Sequence, residues 1–79
     1  MYFVYILKCS NGQYYTGMSG NITERLKAHG RGEVKFTKPF LPVKCVFVAC
    51  FSSKIKAATF EKYLKSHSGK AFRNKHLIQ

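Results

Sequence analysis

Tyr2 to Lys8 is an almost unbroken run of aromatic, aliphatic and β-branched residues, the composition of a strand. Ser10-Asn11-Gly12 ends it with a strong turn signal, and Gln13 to Gly17 reads as a second strand, so the opening of the chain predicts a β-hairpin. At Asn21 the period changes. Asn21-Ile22-Thr23-Glu24 has the form of a helix start: the Asn21 side chain accepts from free backbone N–H groups, and Glu24 resembles the reciprocal partner of a capping box. This helix carries Ile22 and Leu26 toward the core and stops at Gly30 or Gly32.

From Gly30 to Pro42 the chain is polar, basic and punctuated by proline, which predicts a loop. Val43 to Phe51 is a third strand, apolar on both faces and therefore expected at the centre of the sheet. Ser52 or Ser53 caps a second helix that runs to about Ser66, with a stripe of Ala57, Phe60 and Leu64 and with Ile55 and Tyr63 beside it. His67-Ser68-Gly69 breaks that helix, and Lys70 to Leu77 forms a short final one with Ala71, Phe72 and Leu77 inward. The order β-β-α-β-α-α predicts an α+β domain over residues 1–79, with a small three-stranded antiparallel sheet flanked by helices.

Composition adds a core and a partner. Hydrophobic residues make up 46% of the chain, well above a disordered composition. Fourteen Lys+Arg against three Asp+Glu give a net charge of +11, which attracts polyanions. Nucleic acid is the first expected partner and an anionic membrane surface the second. No segment approaches the roughly 20 apolar residues of a membrane span, and the apolar N-terminus lacks the charged start and cleavage site of a signal peptide. Cys9, Cys45 and Cys50 are odd in number and not in CxxC spacing, so neither a disulfide framework nor a zinc site is expected. A monomer in a reducing cytoplasm is the expected setting.

Few residues here can do demanding chemistry. There is no Asp, and the carboxylates are Glu24, Glu33 and Glu61. Glu24 is the capping partner and Glu33 lies in the loop, which leaves Glu61. It stands at the boundary of the second helix's apolar stripe, among lysines. A lone carboxylate there suits Mg²⁺, which is often held by one or two carboxylates together with waters and substrate phosphate; from spacing alone, a surface ion pair with Lys65 is the favoured reading. Arg25 and His29 are four apart and share one face of the first helix, where they are either a phosphate clamp and a proton carrier or a solvated surface. Tyr5, Tyr14 and Tyr15 lie on the hairpin, as packing residues or as proton acceptors. In the loop, Arg31, Lys35 and Lys38 alternate with Phe36 and Phe40, a mixture that suits phosphate contact and base stacking, unless the two rings anchor the loop to the core.

Val4-Tyr5-Ile6-Leu7, Asn11-Gly12 and Tyr14-Tyr15-Thr16-Gly17 together resemble the two signature strands of the GIY-YIG nuclease family. Val4-Tyr5 stands where the family has Ile-Tyr, and Tyr15-Thr16-Gly17 where it has Tyr-Ile-Gly. Glu24-Arg25-Leu26 and His29 resemble the family helix with its essential Arg, and Glu61 matches the family's metal-binding Glu. The resemblance covers almost the whole chain and is nearest to the small single-domain bacterial members. Phe3 takes the place of the motif's first Gly, and Met18 stands where some members have a Lys. The resemblance implies a catalytic set of Tyr5, Tyr15, Arg25, His29 and Glu61. A tyrosine would assist the attacking water, Arg25 would hold the scissile phosphate, His29 would orient a tyrosine or the phosphate, and Glu61 would hold Mg²⁺ or Mn²⁺. Arg31, Lys35, Lys38, Lys70 and Arg73 are the expected nucleic-acid contacts. The alternatives are a non-catalytic DNA- or RNA-binding module and an interaction domain in a repair or RNA-processing assembly.

The two-tyrosine version makes a geometric demand. A two-residue Asn11-Gly12 loop would place Tyr15 opposite Lys8 and put Tyr5 and Tyr15 on opposite faces. A three-residue loop with Gly12 left-handed places Tyr15 opposite Leu7 and both tyrosines on one face, and this is the expected register.

Overall fold

The structure, a computed structural model, describes residues 1–78. Strands β1 (Tyr2–Lys8) and β2 (Tyr14–Ser19) form the hairpin, followed by helix α1 (Ile22–Gly30), strand β3 (Lys44–Phe51), helix α2 (Lys54–Lys65) and helix α3 (His67–His76). The sheet is antiparallel with the order β2-β1-β3.

The hairpin has the expected three-residue loop. Cys9 N–H donates to the Gln13 carbonyl at 2.8 Å and Gly12 N–H to the Cys9 carbonyl at 2.9 Å, with Gly12 at φ +84°. A side chain at that φ is strained, which is why the turn uses glycine. Tyr15 therefore stands opposite Leu7, and Tyr5 opposite Gly17.

The central strand is β1, not the Val43–Phe51 segment. Val4, Tyr5, Ile6 and Leu7 are all buried, whereas β3 has Lys44, Val48 and Cys50 exposed. The outward-turned apolar positions of β3 remain accessible to solvent; Val48 is 44% exposed and Cys50 is exposed too. An apolar residue on an edge strand is tolerated, so two apolar faces alone do not identify a central strand.

Alternation along β1 divides the work of the sheet. Val4 and Ile6 point to one face and form the core with Ala57 and Leu64 of α2, with Phe47, Phe51 and Phe60 packed around them. Tyr5 points to the other face, toward α1. The sheet is thus a layer between α1 on one side and the α2–α3 pair on the other.

Both helix starts predicted from polar residues are present. Asn21 accepts from Glu24 N–H at 3.2 Å, and Ser53 accepts from Lys56 N–H at 3.2 Å. The capping box is not reciprocal, however. Asn21 N–H is taken by the Ser19 hydroxyl at 3.0 Å, and the Glu24 carboxylate pairs with Lys27 instead. At its far end α1 closes with Gly32 N–H on the His29 carbonyl and Glu33 N–H on the Ala28 carbonyl, Gly32 taking φ +75°. This reversal folds the following chain back along α1, so that Val34 and Thr37 are buried.

His67-Ser68-Gly69 does not break a helix; it is the first turn of α3. Ser66 alone separates the two helices. Its backbone N–H and hydroxyl both donate to the Tyr63 carbonyl that closes α2, and the hydroxyl accepts from Gly69 N–H at 3.1 Å to open α3. Gly69 is buried because α3 lies directly against the α2 backbone there. Of the residues expected to pack inward, Leu77 is half-buried, while Ala71 and Phe72 are exposed, as is Ile55 on α2.

Candidate active site

Four of the expected residues meet on the α1 side of the sheet. Tyr5 and Tyr15 are diagonal neighbours across the hairpin, with ring centroids 6.4 Å apart, and His29 sets its ring edge against both at 5.6 and 5.2 Å. The Tyr5 hydroxyl lies 2.9 Å from His29 Nε2. Arg25 Nε–H donates to the same hydroxyl at 3.4 Å. One helical turn separates Arg25 from His29, so both reach the same point on β1. Neither His29 nor Tyr5 belongs to a solvated surface: each is 0% exposed.

Gly17 makes this approach possible. A Cβ at that position would lie 2.5 Å from the Tyr5 hydroxyl oxygen and 3.1 Å from the Tyr15 ring. The Tyr5 ring is locked in the core and has nowhere to move, so position 17 must lack a side chain for the two tyrosines to sit as they do.

The His29 tautomer follows from matching donors to acceptors around it. His29 Nδ1 lies 2.8 Å from the Thr37 hydroxyl, which in turn reaches the Val34 carbonyl at 3.4 Å. Tyr5 oxygen already accepts from Arg25, and its own proton has one acceptor, His29 Nε2. All protons find acceptors in one arrangement: Tyr5 donates to Nε2, Nδ1–H donates to Thr37, and Thr37 donates to Val34. Among the described residues no buried side-chain nitrogen or oxygen lacks a partner. Thr37 was not among the sequence-derived candidates. It is a threonine in a polar loop, and only the backward fold of that loop onto α1 reveals it.

Burial shapes the electrostatics. Desolvation raises the Tyr5 phenol above its usual value, helped by Tyr15 and Glu61 and opposed by the Arg25 hydrogen bond and charge. His29 is held below its ordinary 6.5, first by burial and then by the Arg25 charge. Between the depressed folded value and 6.5 the unfolded chain binds a proton that the folded chain refuses, so His29 costs stability as pH falls through that window. Denaturant midpoints measured across a pH series are expected to fall as pH drops below 6.5, and His29→Gln should flatten the slope; an unchanged slope in the variant would count against a buried neutral His29.

Glu61 approaches from α2. Its charge reaches Tyr5, and its carboxylate pairs with Lys65 at 3.1 Å with 23% of the side chain exposed. The ion pair anticipated from spacing is present, and the carboxylate is close enough for its charge to act on the Tyr5 phenol. Among the described residues there is no group of three or more His, Cys, Asp or Glu able to cage a metal. A single carboxylate with open positions suits a hard cation that keeps its waters, not a zinc-type site.

The basic candidates divide. Lys70 and Arg73 border a groove that begins at Tyr15, and the Arg73 guanidinium lies 5.1 Å over the Tyr14 ring. Lys35 and Lys38 are exposed on the loop. Arg31 is engaged by Glu33 at 2.7 Å. Phe36 does not anchor the loop, since it is 78% exposed and stands 6.5 Å from the Tyr15 ring. Val34 and Thr37 do that work.

Residues 1–76 match the family model of the GIY-YIG catalytic domain. A UPF0213 protein of Bacillus licheniformis is 41% identical over 70 residues, covering 87% of this chain and 72% of that protein. A UPF0213 protein of Clostridium perfringens is 42% identical over 66 residues, covering 82% and 71% respectively. The solution NMR structure of a UPF0213 protein from Bacillus halodurans superposes with a TM-score of 0.60 at 33% identity, over 95% of this chain and 84% of that one.

Proposed function

Because this chain belongs to the GIY-YIG nuclease family, we propose that it hydrolyses nucleic-acid phosphodiester bonds as a metal-dependent endonuclease, using Tyr5, Tyr15, Arg25, His29 and Glu61. The observation that carries this reading is the shared Tyr5 hydroxyl, bonded by His29 on one side and by Arg25 on the other. A fold-stabilising tyrosine needs one hydrogen-bond partner. A tyrosine between a neutral histidine acceptor and a guanidinium is arranged to release its proton and to have the resulting negative charge compensated.

In the proposed mechanism a water oxygen attacks phosphorus in line with the leaving oxygen, and the phosphorus–oxygen bond to the leaving group breaks. The attacking water gives its proton to a tyrosine oxygen. For Tyr5 this is a relay, because its own proton moves to His29 Nε2, the nitrogen the Thr37 bond leaves free to accept. Tyr5 is fully buried with Arg25 over its oxygen, so Arg25 turning outward to the phosphate uncovers the acceptor as substrate arrives. Tyr15 is less buried, borders the groove and orients the water there. Arg25 then places charge-assisted hydrogen bonds on the phosphate oxygens.

Nucleases of this family generally use a divalent metal. The single Glu61 carboxylate would hold Mg²⁺ or Mn²⁺, which when bound supplies charge stabilisation at the leaving oxygen. Lys35, Lys38, Lys70 and Arg73, with Arg31 once it leaves Glu33, would contact flanking phosphates. DNA is the expected substrate ahead of RNA.

The test is incubation of labelled single-stranded, duplex and branched DNA and RNA with Mg²⁺, Mn²⁺ or chelator. Metal-dependent internal cleavage that disappears in Glu61→Ala is expected. Binding without cleavage on every substrate, or cleavage that persists in Glu61→Ala, would overturn the catalytic assignment. Binding without cleavage would leave a nucleic-acid-binding module in its place.

A further inference from the structure

A groove crosses the outer edge of β2 beside the candidate active site. Its inner part, about 410 Å³, lies between Tyr15, Phe36 and Lys65. Its outer part, about 420 Å³, reaches Gly12 and Gln13 of the hairpin turn. Tyr14, Lys70 and Arg73 border both parts, so the two adjoin along the Arg73–Tyr14 stack. Among the described residues no carboxylate lines either part, and the cations come from α2 and α3, away from α1.

The aromatic residues distinguish the possible occupants. Phe36 is 78% exposed with no part in the core, its ring 6.5 Å from Tyr15 and tilted by 31°. Tyr14 lies beneath the Arg73 guanidinium farther along. A duplex keeps its base faces stacked inside and offers a protein its phosphates and base edges. Exposed ring faces add nothing to such a surface. An unpaired strand offers base faces, and a positively charged groove interleaved with aromatic rings is what binds one. Each part also has the size of a site for one small ligand, at the low end of the roughly 300–1,000 Å³ range.

We propose that this groove holds an unpaired nucleic-acid strand leading to the scissile phosphate, with one base stacked on Phe36 and the adjoining phosphates on Lys70 and Arg73. The ligand class rests on the nuclease reading; the geometry of the groove does not.

The test is fluorescence anisotropy on the full chain in the presence of a chelator, with labelled oligothymidylate, oligouridylate and a mixed-sequence duplex. Tighter binding of either single strand than of duplex is expected, and the difference between the two oligomers names the sugar preferred. Phe36→Ala should weaken single-strand binding roughly tenfold and leave duplex binding unchanged, with Phe36→Tyr restoring it. Arg73→Gln should lower the slope of log affinity against log salt by about one. Phe36 is outside the core, so these variants keep the fold, which circular dichroism checks. A preference for duplex, or a Phe36→Ala effect that is absent or equal on both forms, would overturn the proposal. The two readings fail separately. A protein that shows the Phe36 effect and never cuts with metal retains the groove and loses the nuclease; one that cuts while Phe36→Ala binds normally retains the nuclease and loses the groove.

Discussion

Arg25→Ala is expected to lower the rate of metal-dependent cleavage by roughly 10²–10³-fold, the range for removing one preorganised donor from a developing negative charge. The effect has two sources in this structure. The phosphate loses its clamp, and the Tyr5 oxygen loses the hydrogen bond and positive charge that oppose its raised pKa. Only the first would act in the proposed transition state, where negative charge builds on the phosphate oxygens; the second acts in the resting site, before substrate draws the guanidinium away from Tyr5. The fold should survive, because Arg25 is only partly buried and the lost hydrogen bond, long at 3.4 Å, is worth at most the roughly 1.5–3 kcal/mol of one with a charged partner. Arg25→Lys keeps the charge but not the fork, and its rate should fall between the two. Single-turnover cleavage rates with circular dichroism as the control decide the matter. An Arg25→Ala protein that is folded and cuts within a few-fold of the parent would remove Arg25 from the catalytic set.

The second large effect is on stability. Gly69→Ala drives a methyl group into the Tyr63 carbonyl and to within 2.8 Å of the Leu64 Cα. On helix propensity alone the change would stabilise α3 by up to about 1 kcal/mol. The clash reverses the sign. Every atom met is backbone of α2, so no rotamer change relieves it, and the helices must separate. Overpacking of this kind costs typically 1–3 kcal/mol and more when the backbone itself must move, so a loss of about 3 kcal/mol or more is expected. That is a large share of the stability of a domain this size. Leu77 and Ile78, which reach the core from the end of α3, would withdraw with it. A urea midpoint at or above that of the parent would contradict the close packing.

Position 69 also shows where sequence reading stops. Gly69 after a helix, next to His67 and Ser68, has the form of a stop signal, yet it stands there to let two helices touch. A glycine needed for conformation and one needed for space look alike until the partner element is known. Signals that act over a few residues were legible: the register of the hairpin from Ser10-Asn11-Gly12, and the helix starts from Asn21 and Ser53. The central position of β1 was not, because an apolar β3 fits an edge as well as a centre. Of the site, the pairing of Arg25 with His29 on one helix face was legible from their spacing. Thr37 was not, since its contact with His29 depends on a loop reversal that no periodicity records. Nor was the space reserved at Gly17, which exists because the Tyr5 hydroxyl points across the hairpin at it.

Among the described residues the sheet leaves β3 with a free outer edge, a row of unpaired backbone groups next to the exposed Val48 and Cys50. Such an edge invites the same strand of a second molecule to dock along it. A net charge of +11 on each molecule opposes that approach. The protection is electrostatic and therefore conditional: the screening length contracts from about 8 Å at physiological ionic strength to about 3 Å at 1 M salt. Bound polyanion neutralises the same charge. The surplus of lysine and arginine thus serves colloidal stability as well as recognition, and the molecule is best protected from its own copies when it is free and in dilute salt.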